Sequence, residues 1–185
     1  PLINTCRENK TVIRIGINHG SLSDRIMTRY GNTPEGMVQS AMEFIKIFRS
    51  ENFNDLVISM KSSDTVIVVE SNRLLVNIML KEGVAYPIHL GVTEAGEGED
   101  GRVRSAAGIG TLLSEGIGDT IRVSLTEDPE REIPVAKEIV YFLGGLKGRV
   151  TTPVDYQNFI NRDVPYRPEV LTYNDRRYLT ESGKP

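Results

Sequence analysis

The sequence predicts an α/β fold: four parallel βα units, the C-terminal half of a (β/α)8 barrel, followed by the start of a further domain. Three observations predict it. Four short apolar runs read as strands: Val12–Ile17, Leu56–Met60, Pro87–Val92 and Thr120–Leu125. Helical patterns separate them. The strand centres fall near residues 15, 58, 90 and 122, and strands alternating with helices at such spacing form right-handed βαβ units on a parallel sheet. A complete barrel of this kind needs about 250 residues, so four units by residue 145 make half of one. Leu2–Arg7 reads as the end of a preceding helix, which puts the other half upstream as an expectation.

Each helix is announced by its ends. Thr33 before Pro34 and Glu35 is an N-cap with proline in the first turn. Met37, Ala41, Phe44, Ile45 and Phe48 then recur at helical spacing and are expected to face the core. Ser63 or Asp64 caps a second helix running through Leu80, with Gly83 as its stop. A third runs from Ser105 to Glu115 and ends at Gly116, and a fourth from Glu132 to Leu143 carries Pro134 in its first turn. After Gly148 the character changes, for the remaining stretch holds four of the nine prolines and four of the seven tyrosines. The expected division is therefore a barrel unit over 1–148 and, over 149–185, a linker with the start of another domain.

Composition narrows the function classes. A net charge of −3 gives no global reason to expect nucleic acid or an acidic membrane surface, and no apolar run reaches the roughly 18 residues a spanning helix needs. The single cysteine, Cys6, cannot build a disulfide, a thiolate metal site or an iron–sulfur cluster within the chain. It is expected as a small buried apolar residue. A cytoplasmic or organellar setting fits.

Candidate chemistry comes from strand parity. Arg14, Gly16 and Asn18 share one face of the first strand, while Ile13, Ile15 and Ile17 take the face that helices cover. Lys61 lies just past the second strand with Ser59 at the same parity, Glu94 just past the third, and Arg122 with Ser124 share a face on the fourth. In a parallel barrel, ligands meet the C-terminal strand ends. Arg14, Lys61 and Arg122, with Asn18 and Ser124 as neutral donors, would converge there and suit a phosphate or diphosphate; ion pairs inside the barrel are the plainer alternative.

Gly96–Gly101 matches G-x-G-x-x-G between a strand and a helix. Glu97, Glu99 and Asp100 would repel a pyrophosphate there, so the dinucleotide reading is rejected and a flap over the rim is expected instead. Arg104 and Ser105 are expected to open the third helix and offer a second anion-binding feature. His89 takes the helix-facing parity and reads as a packed residue, whereas His19 lies in a rim loop. No metal site is expected.

RIGINHGSLSDRI at Arg14–Ile26, SMKSSD at Ser59–Asp64 and the block Leu90–Pro129 resemble the 4-hydroxy-3-methylbut-2-en-1-yl diphosphate synthase family of the methylerythritol phosphate route to isoprenoids. The resemblance runs from Arg14 to about Ile139. NHGSLSDRI and EGEDGR are similar to the long, three-domain, plant-like form, whose inserted middle domain would begin in the Pro/Tyr-rich tail. The resemblance implies a reductase opening 2-C-methyl-D-erythritol 2,4-cyclodiphosphate to 4-hydroxy-3-methylbut-2-enyl diphosphate, with ferredoxin or flavodoxin as electron donor. By motif match it implies Arg14, Asn18, Lys61, Arg122, Ser124 and Arg104 as substrate-binding residues, and Glu94 as the catalytic residue at the rim. It implies alanine as a common counterpart of His19.

The family's [4Fe–4S] cluster is held by three cysteines and a glutamate in a C-terminal domain, and none of those cysteines is present here. The chain is therefore expected to be a substrate-binding fragment, inactive alone, in a bacterial cytoplasm or a plastid. The other readings are a phosphate-binding barrel lyase or isomerase using Lys61 as amine and Glu94 as base, and a fragment with no competent site. Exposed edges of a half barrel predict homo-oligomers, or cover by the tail.

Overall fold

The computed structural model describes residues 1–145, with side chains through 143, and the backbone of the segments 169–173 and 176–180. Its elements are α1 (Leu2–Glu8), β1 (Ile13–Asn18), α2 (Asp24–Tyr30), α3 (Pro34–Ser50), β2 (Leu56–Lys61), α4 (Thr65–Lys81), β3 (His89–Val92), α5 (Gly98–Ser114), β4 (Thr120–Val123) and α6 (Glu132–Gly145). A 3₁₀ turn, Pro129–Arg131, leads into α6. β5 (Glu169–Tyr173) and β6 (Arg176–Thr180) form an antiparallel hairpin.

The sheet is parallel and its strands follow chain order. β1 pairs with β2 and β3 with β4, and the bridges Ile58↔Ile88 and Ser62↔Val92 join the two ladders in one register. Ile15 and Ile17 of β1, Leu56, Ile58 and Met60 of β2, Leu90 and Val92 of β3, and Val123 of β4 are buried beneath the helices. Alternate residues point to the other face, the future barrel interior. Four βα units in sequential order are the expected architecture, with strand bounds shifted by at most two residues.

The helices form where local chemistry favours them. Thr33 Oγ1 accepts from Gly36 N–H at 3.1 Å and Pro34 occupies the first turn, starting α3 as expected. Its buried face is Met37, Val38, Ala41, Met42, Ile45 and Phe48. Phe44, expected in the core, is 47% exposed instead: it lies 100° round the helix from Ile45, on the flank of the buried stripe. Asp64 rather than Ser63 caps α4, its Oδ1 accepting from Val66 and Ile67 N–H. Cys6, expected buried, is half-buried and packs on the edge of the core.

Two expectations need correcting. α5 begins at Gly98, seven residues before the expected start at Ser105, so most of the supposed acidic flap is the helix's first turn. Glu99 and Asp100 explain this, because acids in a first turn interact favourably with the helix dipole. Small residues then let α5 close on β3: a Cβ on Gly108 would stand 2.7 Å from Val92 Cγ2. The second concerns the chain before α3, where no helix is expected: α2 spans only seven residues, too few to show a helical period. The proposed boundary at 148/149 lies outside the described residues, and the hairpin falls in the second segment.

Candidate functional site

The register sets the site. β1 and β2 place Asn18 opposite Lys61, and β3 and β4 place Gly91 opposite Arg122. The two bridges between β2 and β3 align Lys61 with Gly91. One cross-strand row on the interior face therefore reads Asn18, Lys61, Gly91, Arg122. The row toward the strand beginnings reads Gly16, Ser59, His89, Thr120 by the same register. Arg14 stands one step further down β1, and Ser124 one step beyond the end of β4.

The parity expectation for Arg14, Asn18, Lys61 and Arg122 thus matches their positions. Arg14, Asn18 and Arg122 are exposed and Lys61 half-buried, whereas their outward-pointing neighbours are buried in the core. Lys61 folds back over Gly16, for a Cβ there would touch its Cε at 3.5 Å and its Nζ at 3.6 Å, ordinary contact distances. The amine consequently leans over β1 instead of extending straight beyond the strand end.

Charge is unbalanced on this face. Among the described residues neither Arg14 nor Lys61 forms an ion pair. Arg122 Nε lies 3.8 Å from Glu132 Oε2, an exposed and long pairing, and the other oxygen of Glu132 accepts from Leu125 N–H at 3.0 Å. Such a pair contributes little. Three cations thus share one face with one distant carboxylate, which favours a polyanion.

His89 must be reassigned. Its expected helix-facing parity belongs to Leu90 and Val92, which are buried, while His89 is half-buried on the interior face. Its Nδ1 lies 2.8 Å from Thr120 Oγ1. Burial lowers its pKa below the usual imidazole range, and the charges of Arg14, Arg122 and Lys61 add to the depression. Strand register places those three cations on the same face as the imidazole. Sequence reasoning placed Gly16 on this face without a role and put His89 on the wrong one, although the alternation of Ile88, Leu90 and Val92 carried the signal for β3.

The remaining candidates separate. Glu94 is exposed at the end of β3 with a left-handed φ of 51°, a conformation costing a non-glycine residue roughly 1 kcal/mol or more. Its turn is held by Ala95 N–H donating to Ser124 C=O at 3.2 Å and Thr126 N–H donating to Gly96 C=O at 3.0 Å. Arg104 and Ser105 do not open α5. They lie inside it, so their amides belong to the helical ladder; Arg104 is exposed and Ser105 buried. The true N-terminus of α5 already holds an anion of the chain's own, since Gly98 N–H donates to Glu127 Oε1 at 2.9 Å and Arg102 pairs with the same carboxylate. His19 is tied to the loop before α3, its Nε2 lying 3.1 Å from Asn32 O.

Four consecutive parallel βα units, with polar residues gathered on the interior strand face, define a barrel domain of the TIM class. The chain belongs to the GcpE TIM-barrel domain family, whose sequence profile matches residues 1–137. It is 62% identical over 153 residues to the 4-hydroxy-3-methylbut-2-en-1-yl diphosphate synthase (flavodoxin) of Phocaeicola vulgatus, covering 83% of this chain and 25% of that one. The Bacteroides thetaiotaomicron synthase (flavodoxin) is 64% identical over 143 residues, covering 77% of this chain and 23% of that protein. The ferredoxin-named synthase of Prochlorococcus marinus is 56% identical over 144 residues, covering 78% and 35%. The chain spans about a quarter of the length of the flavodoxin-named relatives. A lyase or isomerase finds no counterpart among these three names.

Proposed function

We propose that residues 1–148 are the C-terminal half of the barrel of a 4-hydroxy-3-methylbut-2-en-1-yl diphosphate synthase, and that 149–185 begin its inserted middle domain. The complete enzyme would reductively open 2-C-methyl-D-erythritol 2,4-cyclodiphosphate to the linear allylic diphosphate. The observation that carries this reading is the interior row Asn18, Lys61, Gly91, Arg122 with Arg14 below it, three cations facing one space. Electrons would come from flavodoxin or ferredoxin, the donors in the relatives' names.

Within that reaction the chain binds and orients. Arg14, Lys61 and Arg122 neutralise the two phosphates, and Asn18 and Ser124 donate neutral hydrogen bonds that fix their orientation. Gly91 keeps the row open, because a Cβ there would press on Arg122 O at 3.0 Å. Glu94, on its strained turn at the rim, would hold the proton delivered to the reacting end of the substrate. Arg104 belongs to α5 and not to the strand row, so its part in binding has the least support.

The implied [4Fe–4S] cluster does not fit this chain. Cys6 is the one cysteine in the sequence and lies on α1, packed at the core's edge. No cluster of three or more histidine, cysteine or acidic residues suited to a metal occurs among the described residues. No electron-transfer step is assigned to these residues. Among the described residues no helix is long and apolar enough to cross a membrane. On the family reading, the complete enzyme would work in a bacterial cytoplasm, or in a plastid if the source is a plant. β1 and β4 each pair along one edge only among the described residues, so self-association of the separate chain through those edges is part of the proposal.

The test is a segment exchange. The full-length Bacteroides thetaiotaomicron synthase, its matching residues replaced by those of this chain, should open the cyclic diphosphate with a reduced viologen within about tenfold of the parent rate. A folded, cluster-loaded exchange protein with no turnover would contradict the reading.

A further inference from the structure

The row Gly16, Ser59, His89, Thr120 lies directly beneath the cation row, and the mechanism above leaves it unused. It contains two unspent polar groups. Ser59 Oγ is fully buried without a hydrogen-bond partner, and it stands beside His89 in the register. His89 engages Thr120 Oγ1 through Nδ1, while its Nε2 makes no hydrogen bond among the described residues. Lys61 leans over Gly16 and so reaches this lower row, the row to which the imidazole belongs.

We propose that His89 is a further anion-binding residue of this face, taking up one proton from solvent when a diphosphate occupies the site between Lys61, Arg122 and Arg14. The inference rests on the diphosphate-binding reading of that site. Without ligand, burial and then the three neighbouring cations hold the imidazole below its usual pKa and so favour the neutral form. A bound polyanion offsets those cations, and the balance reverses. Thr120 permits the change at no loss of partner, since its hydroxyl can donate to Nδ1 in one state and accept from Nδ1–H in the other. Nε2–H of the imidazolium is then free to donate to the anion as a charge-assisted bond.

The charges around His89 leave this assignment consistent. Arg14 from β1, Lys61 from β2 and Arg122 from β4 face it. Asp119, at the head of β4, accepts from Ile88 N–H at 2.8 Å, and Arg73 and Glu115 of the helices behind β3 pair with each other.

The sign follows. Imidazolium binds the anion better than imidazole, so affinity rises as pH falls through the liganded pKa and levels off below the unliganded one. The experiment is calorimetric titration of inorganic pyrophosphate into the segment-exchanged full-length host, native and His89→Gln, from about pH 8.5 to 6 in buffers of different ionisation enthalpy. The variant should bind about tenfold more weakly at pH 6 and nearly equally at pH 8.5. The native protein should take up more protons per site than the variant, a difference in which the ligand's own protonation cancels. A Kd ratio independent of pH, or equal proton counts, overturns the proposal. If His89→Gln fails to fold, the imidazole of the native host is followed directly by NMR as pH is varied with and without pyrophosphate: the ligand should raise its pKa, and a pKa that pyrophosphate leaves unchanged overturns the proposal. If the native host binds no pyrophosphate at all, the anion-site reading itself has failed, a result distinct from a pH-independent ratio.

Discussion

Replacing Lys61 by methionine should weaken pyrophosphate binding to the segment-exchanged host about a hundredfold, or roughly 2.7 kcal/mol. Methionine keeps the apolar stem that packs over Gly16 and removes only the ammonium, so folding is preserved. Arg122 stands two strands away across Gly91 and Arg14 enters the face from a lower step of β1, so neither takes the place of the amine beside Asn18. Gly16→Val supplies the control that leaves net charge unchanged. A Cβ at Gly16 already reaches contact with Lys61 Cε at 3.5 Å, and valine's added methyl groups must push the amine aside, so the same loss is expected to about tenfold. Both effects should shrink with added salt, because this face is open to solvent. Calorimetry at two ionic strengths checks them, and an unchanged Kd in Lys61→Met removes the amine from the site.

The largest stability effect is expected at Leu90. Its side chain is fully buried in β3, and truncation to alanine should cost about 3–4 kcal/mol through lost burial and the cavity left behind. The end of the α5–β4 loop crosses over it. Gly118 has a φ of +118°, and a Cβ there would stand 2.4 Å from Leu90 Cδ1. Gly118→Ala alone should therefore cost about 2 kcal/mol, from the clash and the strained φ together. In the double variant the shortened side chain admits the methyl group and only the strain remains. The double should thus be less destabilised than the sum of the singles by about 1 kcal/mol. Urea denaturation of the chain followed by circular dichroism measures all three. Strict additivity would mean that Leu90 and Gly118 do not share the space described.

These two regions were not equally legible in the sequence. In β1 the alternation of isoleucine with arginine, glycine and asparagine is clean, so Arg14 and Asn18 could be placed on the interior face before any fold was known. Lys61, Arg122 and Ser124 followed from the same rule. β3 is shorter and its run Pro87–Val92 is apolar at nearly every position, so its phase was ambiguous and His89 was assigned to the wrong face. Burial of Ile88, Leu90 and Val92 resolves it. Capping chemistry was readable where a side chain does the work, as at Thr33 and Asp64.

It failed at α5, where no side chain of the N-cap residue Glu97 bonds the helix and the glycines imitate a loop. There the helix start depends on Glu127, nearly thirty residues later, which binds Gly98 N–H and Arg102 at once. That carboxylate also explains why the glycine fingerprint is no phosphate loop: its anion position is filled from within the chain. Gly16 was visible only as a strand glycine, since its contact with Lys61 is a property of two strands in register. The antiparallel hairpin of β5 and β6 lay in a stretch whose prolines and tyrosines gave no periodic signal.

The interior cation row is the proposed seat of the diphosphate. A crystal structure of the segment-exchanged host with the cyclic diphosphate tests it most directly. The prediction is that both phosphates lie on the interior face of β1–β4, with their oxygens within hydrogen-bond distance of Lys61 Nζ, Asn18 and Arg122. Phosphates seated instead at the N-terminus of α5 or away from the strand row, with Lys61 and Arg122 unengaged, would contradict it.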